Sequence, residues 1–218
     1  MERVGVEDAT LILVRHGQTA WNLEGRWQGH KDSPLTELGR EQARQIASRL
    51  SGLKVAAIYT SDLGRAKEMA EIIAAPHKLS VIAREDLRER SYGMLEGKTI
   101  AEAAATEGGW FRAWQADHLR MAPPIGETQH DMAERVMEAL CAIADRHSRQ
   151  NVIVSTHGGP IKSAICHILS IPLTLWRYTW ISNGSITTLR GNRDVMRVAS
   201  FNDTCHLDAG PGPDTMEG

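Results

Sequence analysis

Cysteine is scarce in this 218-residue chain: Cys141, Cys166 and Cys205 are the whole set, and no two of them form a C-x-x-C pair. Such an odd, scattered set argues against a disulfide framework and a thiolate zinc site, and reduced thiols suit the cytoplasm. Long apolar runs are missing too, none approaching the roughly 18 residues that cross a bilayer. The first eight residues, Met1 to Asp8, hold no apolar stretch of the signal-peptide kind. The expectation is a soluble, cytoplasmic protein that engages no membrane. Neither sign of charge dominates: 25 Lys and Arg against 27 Asp and Glu leave a formal charge of −2. A nucleic-acid partner would call for a basic stripe or patch, so that class is set aside.

What remains is an ordinary globular composition, 42% hydrophobic and 24% charged. The length suggests one large domain, expected over residues 1–206. Residues 207–218, with three Gly and two Pro, suggest a disordered tail. The run Thr10 to Val14 is a buried-strand pattern. Thr36 then opens an amphipathic helix with Leu38, Ala43, Ile46, Ala47 and Leu50 on one side, closed by Gly52. Val55 to Tyr59 is the next strand, and Asp62 is placed to cap a second helix that ends before Pro76. Leu79 to Ile82 gives a third strand. A helix through Met132, Val136, Leu140, Ile143 and Ala144 precedes a strand from Val152 to Ser155, with a further helix from about Pro160. Ser185 to Leu189 and Val195 to Phe201 close the series as strands. Residues 98–128 are helix-prone but broken by Gly and Pro.

Alternating strands and helices imply βαβ units and a mostly parallel sheet, covered by helices on both faces. Ligands in such sheets bind beyond the carboxyl ends of the strands. Arg15-His16-Gly17 follows one expected strand and Thr156-His157-Gly158 another, so one end of the sheet can present both histidines. A neutral imidazole offers a lone pair near pH 7, and the adjacent arginine is always charged. Gly17 would let the backbone pass close to a bound group. Arg65 lies at a helix start, where backbone amides favour anions. Glu89 follows the third strand. Fixed cations around a transferring phosphoryl group, with a carboxylic acid to protonate the leaving oxygen, are what that chemistry requires. Arg88 and Arg90 flank Glu89 and would oppose its service as an acid, unless an extended backbone turns both away.

The motifs agree in order. Arg15-His16-Gly17-Gln18-Thr19-Ala20-Trp21-Asn22, Arg26-Trp27-Gln28-Gly29 and Asp32-Ser33-Pro34-Leu35-Thr36 come first. Ser61-Asp62-Leu63-Gly64-Arg65-Ala66, Leu87-Arg88-Glu89-Arg90 with Gly93 and Glu96-Gly97, and Thr156-His157-Gly158 come after them. Together they resemble the histidine phosphatase superfamily, in its phosphoglycerate-mutase-like branch and especially its broad-specificity phosphatases. The resemblance spans roughly residues 10 to 200. It implies a three-layer α/β/α sandwich and a reaction without metal or other cofactor. His16 would become a phosphohistidine, with Arg15, Arg65 and His157 holding phosphate oxygens and Glu89 acting as acid, then base. Asn22, Gln28, Gly29 and Gly158 would line the phosphate pocket, and residues 98–128 would form a helical lid. Met69 departs from the Thr common in the family.

Some readings stay open on sequence. Trp110 and Trp114 suit either core packing or an apolar wall over the pocket, and Trp21 and Trp27 divide in the same way. Asp32 suits a cap or turn, and Glu127 and Thr128 suit supporting roles at a helix start. The remaining histidines, among them His30, show no metal-ligand spacing. Three activities compete: a phosphomonoesterase, a phosphoglycerate mutase, and an inactive phosphate-binding module. Every expected catalytic side chain is present, which disfavours the third. Only residues 90–156 separate Glu89 from His157, whereas mutases of the family carry a longer, enclosing insertion there, so hydrolysis of a small phosphomonoester is favoured. As for assembly, a monomer or a homodimer is expected.

Overall fold

The computed structural model describes residues 8–207, and the sequence-expected tail falls almost wholly outside them. Its frame is a six-stranded sheet in the order β3-β2-β4-β1-β5-β6, built from β1 (Ala9–Arg15), β2 (Val55–Ser61), β3 (Val81–Arg84), β4 (Asn151–Thr156), β5 (Ile186–Gly191) and β6 (Met196–Asp203). The first four strands run parallel, and β5 pairs antiparallel with both β1 and β6. The mostly parallel α/β sandwich expected from the sequence is what the chain forms.

Strand periodicity builds the layers. In β1, Leu11 and Leu13 face a core containing Met132, Val136, Leu140 and Ile143 of α5 (Gln129–Arg146) and Ile161 and Ile165 of α6 (Gly158–Ile168). Ile12 and Val14 face the opposite core, with Ala43 and Ile46 of α2 (Glu37–Leu50) and Met69 and Ile73 of α3 (Gly64–Ala74). Met69 is therefore a core side chain, and the polar contact a Thr could make there is replaced by packing. The central strands β1 and β4 are apolar on both faces because both faces are covered there.

Helix starts obey local chemistry. Thr36 caps α2 by accepting from the Gly39 amide at 3.0 Å, a contact worth about 1 kcal/mol. Thr19 and Thr128 cap the short α1 (Ala20–Glu24) and α5 with full capping boxes. Two expectations are corrected. Asp62 does not cap α3; its carboxylate is drawn into an ion pair with Arg88, with Arg88 Nε donating to it at 2.7 Å. Helix α6 begins at Gly158, two residues before Pro160, which sits inside its first turn where a missing N–H costs nothing.

The segment expected to be helix-prone forms α4 (Ile100–Ala116), opened by a Thr99 capping box and kinked at Gly108, whose φ of 53° and ψ of −125° break the helix. Its Ala103, Phe111 and Trp114 pack with Trp27, Tyr92 and Leu95 as a separate apolar cluster.

Candidate active site

The register of β1 and β4 governs the geometry of the site. Arg15 is paired directly with Thr156, so the next residue on each strand, His16 and His157, emerges beside the other. The ring centroids stand 5.2 Å apart, edge to face. This is the convergence expected at the carboxyl ends of neighbouring strands.

His16 is fully buried, and its Nδ1 lies 2.8 Å from the Gly17 carbonyl. A carbonyl can only accept, so Nδ1 carries the hydrogen and the lone pair of the neutral ring belongs to Nε2. Gly17 has a packing role besides the one expected. A Cβ there would come within 2.4 Å of the Gly39 oxygen, so this glycine admits close approach of α2 to the loop after β1.

Arg65, 1% exposed, is held from behind. Its Nη1 donates to the Lys31 carbonyl at 2.9 Å and the Asp32 carboxylate at 3.1 Å, and its Nη2 to the Gly29 carbonyl at 2.8 Å. Asp32 also accepts from the Arg65 amide at 3.2 Å, so it serves the start of α3 from outside the helix while aiming the guanidinium. Gly64 makes room for that carboxylate, since a Cβ would meet Asp32 Oδ2 at 2.3 Å. Arg15 is anchored by donation from Nη1 to the Ile181 carbonyl.

Glu89 is also buried, and backbone amides grip both its oxygens: Arg90 donates to Oε1 at 2.8 Å and Gly159 to Oε2 at 3.0 Å. Gly159, the second residue of α6, has to be glycine, because a Cβ would lie 2.1 Å from Glu89 Oε1. The carboxyl group thus sits against the amino end of the helix that His157 caps. The flanking arginines do point away: Arg88 to Asp62, and Arg90 to the carbonyls of Glu127 (2.9 Å), His118 (2.8 Å) and Met121 (3.2 Å).

Asn22 and Gln28 are both buried and converge on Thr19, whose hydroxyl lies 3.0 Å from Asn22 Oδ1 and 3.1 Å from Gln28 Oε1. Gly29 contributes its carbonyl to Arg65, and Gly158 is the first residue of α6. Trp27 and Trp114 settle in the apolar cluster with ring centroids 5.9 Å apart, and both also line a cavity of about 160 Å³ with Arg90, Tyr92, Ile100, Gln115 and His118.

Sequence reasoning passed over several residues. Asn183 Nδ2 donates to the His16 carbonyl at 3.1 Å from 167 residues away. His30 places Nε2 3.0 Å from the Glu89 carbonyl. Arg135 reaches the same backbone from α5. None carries a local motif; only the closed fold brings them near.

Cations dominate the surroundings of His157: burial pushes its imidazole well below its ordinary 6.5, helped by Arg65, His16 and Arg15. Among the described residues, both ring nitrogens of His157 and Nε of Arg65 are buried without a hydrogen-bond partner. Leaving such groups unmatched costs about 1–3 kcal/mol each. A tetrahedral or trigonal oxyanion is the chemical match: negative, many-lobed and acceptor-rich. No three His, Cys, Asp or Glu side chains among the described residues gather to hold a metal ion.

Comparison with known proteins places this arrangement in context. Residues 11–204 match the histidine phosphatase superfamily (branch 1). Over 212 residues, 95% of this chain and 98% of the relative, the sequence is 35% identical to the probable phosphoglycerate mutase GpmB of Cronobacter sakazakii. The solved structure of Bacillus stearothermophilus YhfR superposes with a TM-score of 0.85 at 39% identity, covering 92% of this chain and all of that one. A mycobacterial glucosyl-3-phosphoglycerate phosphatase in complex with VO3 gives 0.78 at 31% identity, covering 89% and 99%.

Proposed function

Since the chain belongs to the histidine phosphatase superfamily (branch 1), we propose that it is a phosphomonoesterase. It hydrolyses small phosphorylated metabolites through a phosphohistidine on His16, with Glu89 as acid and base and no metal. The observation that carries this reading is the set of unmatched buried donors on Arg65 and His157 beside the His16 ring.

The Nε2 lone pair of His16 attacks phosphorus, and the bond from phosphorus to the ester oxygen breaks. Glu89, entering protonated, gives its proton to that oxygen, and the alcohol leaves. Arg15, Arg65 and His157 hold the equatorial oxygens while charge spreads over them. A water then gives a proton to Glu89 as its oxygen attacks phosphorus. The bond from nitrogen to phosphorus breaks, and inorganic phosphate departs, restoring both groups.

Hydrolysis rather than isomerisation is supported by the short connection between Glu89 and His157, which adds only α4, α5 and β4 as regular helices and strand. A mycobacterial phosphatase of similar fold is solved in complex with VO3, which supports an oxyanion as the kind of ligand this chain takes. The name of the Cronobacter relative keeps mutase activity as the competing reading.

A phosphomonoester panel in excess EDTA tests the mechanism, and 3-phosphoglycerate separates the two activities. Wild type is expected to turn over, and His16→Ala to lose essentially all activity; a requirement for added metal would refute the mechanism. With 3-phosphoglycerate, release of phosphate without 2-phosphoglycerate is expected, and accumulation of the isomer would establish the mutase.

A further inference from the structure

The proposed reaction asks Glu89 to give up a proton and later to take one at the same place, so the backbone that carries it must not drift. That backbone has no strand partner, since β3 ends at Arg84. We infer that Arg135 of α5 is a positioning residue for proton transfer, a reading that rests on the function proposed above.

One guanidinium spans the segment. Arg135 Nη1 donates to the carbonyls of Asp86 at 3.0 Å and Arg88 at 3.1 Å, while Nη2 lies 3.4 Å from the Glu89 carbonyl and donates to Glu127 Oε1 at 2.6 Å. The same Glu127 oxygen accepts from the Ser91 amide at 2.9 Å, and the Glu127 amide donates to the Ser91 carbonyl at 3.1 Å. Residues 86–91 are therefore held on both sides of Glu89 by one arginine and the carboxylate it pairs with. The clamp is anchored, because Met132, three residues before Arg135, and Val136, next to it, lie in the main core. Only a rigid planar fork can serve three carbonyls and a carboxylate at once; a lysine ammonium would reach fewer. The ion pair with Glu127 also balances the charge of the guanidinium. Arg135 touches no reacting atom and acts through the backbone of the acid.

A scaffold contact and a positioning contact differ in how they respond to the leaving group. A p-nitrophenolate departs without needing a proton, whereas an alkoxide must be protonated as it leaves. The experiment compares kcat/KM for p-nitrophenyl phosphate and an alkyl phosphate in Arg135→Ala, Arg135→Lys and Glu89→Gln, with orthovanadate binding as the control for the phosphate pocket. Displacing an acid by about an ångström costs on the order of 10²-fold, so Arg135→Ala is expected to lose about that on the alkyl ester and less than roughly threefold on the nitrophenyl ester. Vanadate binding is expected to hold, Arg135→Lys to fall between, and Glu89→Gln to show the same selectivity more strongly. Equal losses on both esters in Arg135→Ala, or none in the folded variant, overturn the inference while Glu89→Gln remains selective. An unselective Glu89→Gln overturns the role of Glu89 itself and the clamp with it. Should Arg135→Ala not fold, Arg135→Lys and Glu127→Gln carry the comparison, and absence of selectivity in both refutes it.

Discussion

A buried histidine with both nitrogens unmatched is an unusual residue, and His157 makes a specific demand on pH. Burial and the neighbouring cations keep it neutral, far below 6.5. A dianion bound between it and Arg65 reverses that sign, because the protonated ring then gains a partner. Binding is thus coupled to proton uptake. Sulfate, a dianion throughout the range, is expected to bind more tightly as pH falls from 8 through roughly 6.5, the ordinary imidazole value, and His157→Asn is expected to lose most of that dependence; calorimetry in buffers of different ionisation enthalpy reads it. The same lowered value means the ligand-free protein loses stability as pH falls below the unfolded-state value, since unfolding then takes up a proton. A flat sulfate profile in wild type would show that His157 does not face the oxyanion. Neighbours in sequence divide the labour here: Glu89 points to α6, whereas Arg90 turns to the carbonyls around α4 and lies 5.5 Å and 5.7 Å from the Tyr92 and Trp114 ring centres.

At the scale of elements, that arginine pins the segment that would cover the site. Burial lowers the Arg90 guanidinium below its ordinary value, and the carbonyls of His118, Met121 and Glu127 hold it. Arg90→Ala is expected to raise amide hydrogen exchange across 100–121 while β1 and β4 stay protected; unchanged exchange in α4 would mean that the aromatic cluster alone secures it. What could be read from sequence was mostly element-sized. Thr36 and Thr128 announce helices because a cap is satisfied within three residues, and the apolar runs of β1 and β4 announce covered strands. Asp62 misleads because a cap and an ion pair use the same oxygens, and only the fold brings Arg88 to it. The packing role of Gly17 was hidden in the same way, since a glycine required by a neighbouring helix looks the same in sequence as one required by a ligand. Asn183 and Arg135 carry no local pattern at all.

On the proposed function, the whole molecule turns a sheet into a reaction vessel. Four parallel strands with helices on both faces bring their carboxyl ends to one side, and the parallel register of β1 with β4 sets two histidines side by side without help from any loop. Arg15 and Arg65 lie near enough to His157 to act on its charge, and the Glu89 carboxyl group meets the amino end of α6, the helix that His157 caps. This placement explains why the constellation was legible as spaced motifs even though its members lie up to 142 positions apart, from Arg15 to His157. The central claim is that phosphorus becomes bonded to residue 16 during turnover. Rapid acid-free quenching of enzyme mixed with a ³²P-labelled phosphomonoester, followed by peptide mapping, measures this directly. The expected result is an acid-labile, base-stable phosphate on His16 that, with labelled p-nitrophenyl phosphate, whose leaving group needs no proton, is strengthened in a Glu89 variant slow to activate water. No label on the enzyme during steady turnover, or label on any other side chain, would contradict it.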